Sequence, residues 1–297
     1  MEEAMRWRRM PWFRVTAVGA MAMVASLFGL GSAAGAALHD APAYVALGGS
    51  ASVGTQPTLQ RPRGQPTDSG YANDVEASLR SRRPDLHLVE LGCPGETTNA
   101  MLLGGSRCHY ALGTQLATAI SFLQRHDADL VTVDLGANDL DHCIKGLSLD
   151  EACAAVMTDL ARTQLLQILT ELRAAAAPGT RFIGIGHYDP YLGRYIDGPA
   201  GQAFALASVG VIQRLNAAME SAYNQFGIPM ADVASAFNMT DSTPTDVAGL
   251  GTVPLNVART CQLTWMCAAA PLGPNRHPND GGYRVIADTV TDLLADH

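Results

Sequence analysis

Tyr44-Val45-Ala46-Leu47-Gly48-Gly49-Ser50-Ala51-Ser52-Val53-Gly54 is the stretch from which the rest of the chain can be read. Four apolar residues run into a glycine pair, the pattern of a short strand followed by a turn. A polar, Pro- and Gly-containing loop (residues 55–70) follows, and then Tyr71, Val75 and Leu79 recur at helical spacing. The alternation continues downstream. His87–Leu91 reads as a second strand, Leu116–Leu123 as a helix and Leu130–Leu135 as a third strand. Leu149–Ala177 is a long Ala- and Leu-rich helix stopped by Pro178-Gly179. Arg181–Gly186 is a fourth strand, Gln202–Phe226 a helix, Ile228–Val233 a fifth strand and Tyr283–Leu294 a closing helix. Residues 238–276, rich in proline, read as irregular. Strands separated by helices require a parallel sheet covered on both faces, a three-layer α/β domain.

In such sheets ligands bind beyond the carboxyl ends of the strands, so the residues just after each strand carry the functional information. After the first strand comes Gly48-Gly49-Ser50, after the second Gly92-Cys93-Pro94-Gly95, and after the third Gly136-Ala137-Asn138-Asp139. His277-Pro278-Asn279-Asp280 precedes the last helix. A hydroxyl, a glycine backbone, an amide and an imidazole therefore converge on one edge. Acyl transfer needs these groups. Serine requires an adjacent base to become a nucleophile, and histidine titrates in the right range. The tetrahedral oxyanion requires preorganised donors, each worth about 2.7–4 kcal/mol. The N–H groups of Ser50 and Gly95 and the amide of Asn138 would supply three.

Tyr44–Ser50, Gly95, Gly136-Ala137-Asn138-Asp139 and His277-Pro278 resemble, in order and approximate spacing, the four blocks of the SGNH/GDSL hydrolase family. The resemblance runs from about residue 43 to the end and is closest to exported, cysteine-bearing actinobacterial members. It implies a flavodoxin-like α/β/α fold around a central parallel five-stranded sheet. It also implies that Ser50 is the nucleophile, His277 the general base, and Gly95 and Asn138 parts of the oxyanion hole. The α/β-hydrolase elbow G-x-S-x-G is excluded, because Ser52 stands where its second glycine would be.

Two positions depart from the family pattern. Gly49 replaces the aspartate of Gly-Asp-Ser, and Pro274 stands where an aspartate commonly precedes the histidine by three residues. The backbone carbonyl of Pro274 is the preferred support for the imidazole, with Asp280 and Asp189 as side-chain alternatives. Asp280 otherwise reads as a cap for the last helix. His187, after the fourth strand, lies near the same edge as a lining or a structural residue. Ser52 reads as a helix-start residue, and no motif assigns a role to Glu96 or Asp134.

At the N-terminus Arg6, Arg8, Arg9 and Arg14 precede an uncharged apolar run, Val15–Leu30, and then Ala34-Gly35-Ala36. This order describes a secretory signal peptide over residues 1–36, with residues 37–297 as one hydrolase domain. The run is shorter than the ~20 apolar residues of a spanning helix, so no stable membrane anchor is expected after cleavage. Arg8-Arg9 leaves the Sec or Tat route open.

The whole chain is formally −8, and loss of four Arg against two Glu makes the remainder −10. No basic patch appears, which argues against nucleic acid as a partner. All six cysteines fall in the exported part and read as three local disulfides, Cys93–Cys108, Cys143–Cys153 and Cys261–Cys267. No zinc-finger spacing appears, and neither a metal nor a cofactor is expected.

The expected protein is a monomeric, secreted or envelope-located carboxylic ester hydrolase acting on a small-molecule, lipid or glycan ester. Without a long apolar lid, the sequence favours a general esterase over an interfacial lipase. De-acetylation or acyl transfer on envelope polysaccharide is the enzymatic alternative. A non-catalytic glycan- or lipid-binding member is the other, motivated by Gly49 and Pro274. Specificity would sit in the loops at 55–70, 101–114, 190–200 and 238–276.

Overall fold

The computed structural model describes residues 42–295, so the signal-peptide expectation lies outside the described residues. Five parallel strands form the central sheet: β1 (Ala43–Gly48), β2 (His87–Glu90), β3 (Ala128–Asp134), β4 (Arg181–Ile185) and β5 (Met230–Ala231). Their order is β2-β1-β3-β4-β5. The chain turns back between β1 and β3, and the crevice for a ligand opens at such a switch point.

Alternation along the strands builds the two helical layers. Val45 and Leu47 of β1 and Val131 and Val133 of β3 face one core. That core is covered by α3 (Gln115–Leu123), α4 (Glu151–Ala175) and α5 (Pro199–Asn224). Tyr44 and Ala46 point the other way, with Ile183 and Ile185, toward α1 (Tyr71–Arg80) and α8 (Asp280–Ala295). In this second layer the Thr132 hydroxyl lies 2.9 Å from Tyr44 Oη and 3.1 Å from Tyr71 Oη, so the buried hydroxyls satisfy one another. Helix starts follow the local sequence. Thr97 caps α2 (Thr98–Leu103), Thr114 caps α3 and Asp150 caps α4, each side chain accepting an N–H of the first turn.

Two expectations are corrected. The fifth strand is shorter than Ile228–Val233, because Asp232 accepts the Ser235 N–H (3.0 Å) and starts α6 (Val233–Ala236) at once. Residues 238–276 are not wholly irregular. Pro244–Val247 pairs antiparallel with Gly251–Pro254, and α7 (Leu255–Leu263) follows directly. The prolines punctuate these elements at their ends, where no ladder or helix donor is lost.

The three local cysteine pairs are bridged, with Cα–Cα distances of 6.3, 5.5 and 5.0 Å. They tie the loop after β2 to the loop before α3, the turn after β3 to the start of α4, and α7 to the loop beyond it. Among the described residues no helix is long and apolar enough to cross a membrane.

Candidate active site

Ser50 follows β1 directly, at the switch point. Gly48 makes the exit possible: its φ of +116° suits glycine, and a Cβ there would collide with the Asp134 carbonyl oxygen. The Gly49 N–H donates to that carbonyl at 2.8 Å, pinning the turn to β3. Ser50 then opens a short 3₁₀ turn, Ala51–Val53, and stays partly exposed. Ser52 is fully buried and its hydroxyl donates to the Gly49 carbonyl at 2.7 Å, so it closes the turn and does not face the cleft.

His277 lines the same cleft as Ser50. Both residues line a cavity of about 80 Å³ together with Asn138, and a wider cleft of about 360 Å³ that adds Gly95. The support for His277 is neither the Pro274 carbonyl nor a carboxylate. Its Nδ1 lies 2.7 Å from Oδ1 of Asn275, the same oxygen that accepts the His277 backbone N–H at 3.0 Å. The Asn275 amide donates to the Pro62 carbonyl at 3.0 Å, which fixes which end of the amide is oxygen. Nδ1 must therefore carry the proton, and Nε2 keeps its lone pair for the cleft.

Asp280 instead accepts from Gln56 Nε2, and Asp189 accepts from the Tyr191 N–H and the Ser208 hydroxyl. Nor is Asp280 the cap of α8. The Asn279 side chain takes that place, accepting the Gly282 N–H. Burial, and next the nearby Arg276 cation, lower the His277 pKa to about 4. The imidazole is thus neutral, and able to accept a proton, over most of the pH range.

Asn138 follows β3 in a 3₁₀ turn, Ala137–Cys143. Its Nδ2 donates to the Glu96 carbonyl at 2.9 Å, leaving the second N–H of the amide for the cleft. Its Oδ1 faces Arg276 Nη2 at 3.3 Å, which prevents the amide from flipping. Arg276 is itself clamped by both oxygens of Asp141, and that hydrogen-bonded carboxylate keeps the guanidinium pKa raised. Gly95 has φ +87°, and the Cys93 N–H ties its loop to the Gly48 carbonyl at 2.9 Å. Among the described residues no acceptor takes the N–H of Ser50 or of Gly95.

The geometry thus gathers Ser50, Gly95, Asn138 and His277 around one cleft. Sequence reading missed Asn275, Arg276 and Asp141. Asn275 is the immediate neighbour of Pro274, so its position was visible but its acceptor role was not. The Arg276–Asp141 pair spans loops 135 residues apart, and no local pattern signals it. His187 also lines the smaller cavity, with Nε2 3.0 Å from the Leu135 carbonyl oxygen.

The comparisons bear on the same region of chain. The family model described as GDSL-like lipase/acylhydrolase matches residues 46–285. The chain belongs to this family. Membership places it among ester hydrolases. Solved structures of similar fold include the extracellular lipase of Streptomyces rimosus, at 19% identity and a TM-score of 0.50. That alignment covers 85% of this chain and 99% of that one. The phospholipase A1 of Streptomyces albidoflavus NA297 aligns at 17% identity and a TM-score of 0.51, covering 84% of this chain and 99% of that one. At these identities the likeness concerns the fold. No curated protein matches the chain.

Proposed function

We propose that this GDSL-family hydrolase is a secreted serine esterase that cleaves carboxylic esters through a Ser–His acyl-enzyme mechanism. The observation that carries the reading is the tautomer imposed on His277. Asn275 holds the proton on Nδ1, so Nε2 presents a lone pair to the cavity that Ser50 also lines. Ser50 Oγ attacks the ester carbonyl carbon while Nε2 takes the hydroxyl proton. The negative charge that forms on the carbonyl oxygen meets the N–H groups of Ser50 and Gly95 and the amide of Asn138. The intermediate collapses, and the alkoxide leaves with the proton that His277 returns. Water, deprotonated by the same nitrogen, then attacks the acyl-enzyme and releases the acid and a free Ser50.

Asn275 replaces the usual carboxylate as orienting group, a neutral third member of the kind found in Cys–His–Asn proteases. It fixes the tautomer but stabilises the imidazolium less than a full charge would. Export is supported by the three disulfides, which form and persist in oxidising compartments.

The test is labelling with a fluorophosphonate probe, paired with hydrolysis of soluble p-nitrophenyl esters. The chain should label at Ser50, and Ser50→Ala should lose label and at least about 10³-fold of kcat. Absence of both hydrolysis and label in the folded wild type would rule this mechanism out. An ester activity that survives in Ser50→Ala would assign the nucleophile elsewhere.

A further inference from the structure

The wider cleft at Ser50 and His277 is lined by three arginines, Arg63, Arg107 and Arg276, and by no Asp or Glu among the described residues. In a chain of formal charge −8 this positive lining is local. The three come from loops far apart in sequence, so no basic run announces them and only the fold gathers them. The cleft's volume of about 360 Å³ lies within the range of small-molecule sites.

Arg107 is set against Gly95. A Cβ built on Gly95 would lie 2.5 Å from Arg107 Nη1 and 3.3 Å from its Cζ, so the guanidinium rests on that glycine. The Cys93–Cys108 disulfide ties the residue after Arg107 to the loop that carries Gly95. Arg63 is set beside His277. The carbonyl of its neighbour Pro62 accepts from the Asn275 amide at 3.0 Å. On its other side, a Cβ built on Gly64 would lie 3.4 Å from Nδ1 of His277. The backbones on which both arginines stand are thus anchored to the groups around the reacting carbonyl.

Arg276 is neutralised by both oxygens of Asp141. Arg63 and Arg107 are exposed, and neither has a carboxylate partner among the described residues. Glu96, the acid next to Gly95 in sequence, is buried and does not line the cleft. A single unpaired arginine on a surface is ordinary. Two of them, held beside the base and the oxyanion loop of one cleft without an acid in its lining, put positive potential where the substrate must lie.

We propose that the substrates of this cleft are esters that carry an anion, a carboxylate or a phosphate group, with Arg63 and Arg107 as the cations that bind it. This rests on the reading of Ser50 and His277 as nucleophile and base. The anion meets the planar fork of a guanidinium while the ester carbonyl lies at Ser50, and it leaves unaltered with its half of the product.

Matched acetate esters of phenols test this: para-acetoxybenzoate against para-acetoxybenzamide, and para-acetoxyphenyl phosphate against para-acetoxyanisole. Dividing each kcat/KM by the rate of the same ester with hydroxide removes differences in intrinsic reactivity. The wild type should favour at least one anionic ester over its neutral partner by about tenfold, and the pair that responds tells carboxylate from phosphate. Raising the salt from about 0.1 M to about 1 M shortens the screening length from about 10 Å to about 3 Å, and should reduce the preference to about twofold. The double variant Arg63→Gln/Arg107→Gln, its folding checked by near-UV circular dichroism, should show the same reduction at low salt. Equal use of charged and neutral partners by the wild type would overturn the proposal without any variant. So would a preference that survives salt or the double substitution, since the guanidinium charges would then not be its source. A wild type that labels with fluorophosphonate at Ser50 yet cleaves neither anionic ester overturns this proposal alone. One that neither labels nor hydrolyses any ester overturns the nucleophile reading along with it.

Discussion

His277 shows how much one neighbour decides. With an asparagine instead of a carboxylate beside Nδ1, and with burial and Arg276 lowering its pKa to about 4, the imidazole stays an available base far into acid. The acid limb of kcat/KM should therefore fall near pH 4, well below the ordinary histidine range, in a titration with an ester whose own chemistry is pH-independent. Asn275→Asp places a negative charge against Nδ1 and favours the protonated ring. Its acid limb should move up by a unit or more, and its optimum with it. A limb near 6.5 in the wild type, or one that stays in place in Asn275→Asp, would contradict this electrostatic account. The sequence singled out His277 and placed it at the edge where the cleft opens. It could not show the acceptor, because Pro274 drew attention to a carbonyl while the oxygen came from the next side chain.

At the scale of elements, the strand-to-loop junctions were the legible part. β1, β3 and β4 are short apolar runs buried on both faces, and the residues that follow them line the cleft regardless of how the helices end. The misread segment, 238–276, holds a four-residue-per-strand hairpin and a nine-residue helix. Such elements are too short for a periodic pattern to emerge, and their prolines mimic a loop. The turn after β3 was read only for Asn138, yet Asp141 in the same turn anchors Arg276 and through it the orientation of the Asn138 amide. Caps are set locally, yet the one read from the sequence, Asp280, gives way to its neighbour Asn279. Asp150 is exposed and its side chain accepts the Cys153 N–H at 2.9 Å, satisfying one of the orphan donors of the 25-residue α4. Asp150→Ala should cost about 1 kcal/mol, a drop of roughly 2–4 °C in Tm for a domain of this size. Turnover per folded molecule should not change, because α4 covers the core and its start lies outside the cleft lining. A melt compared with a kinetic assay on the same preparation checks both halves.

Across the whole molecule, the buried titratable groups act on stability in opposite directions. His277 is held below its unfolded pKa, so its contribution is complete above about 6.5 and is lost as pH falls toward about 4. Asp189 is the reverse case. Burial raises its pKa to about 7, although the Ser208 hydroxyl and the Tyr191 and Leu192 N–H groups partly oppose the shift. Glu96 is likewise raised to about 7, by burial and then by the nearby Asp139 charge. A carboxyl that ionises later in the native state than in the unfolded chain favours folding only while it stays protonated. The native state binds the extra proton between about 3.8 and about 7, so stability from Asp189 declines as pH rises through that window. Asp189→Asn imitates the protonated acid at every pH. At pH 5 the wild-type side chain is already protonated, and the substitution should change Tm little beyond its altered hydrogen bonding. At pH 8 the wild type must bury a charge that the variant does not carry. The difference in Tm, variant minus wild type, should therefore be more positive at pH 8 than at pH 5. Calorimetric melts of both proteins at the two pH values read this difference directly. An equal or inverted difference would mean that Asp189 is ionised throughout, with its hydrogen bonds outweighing burial.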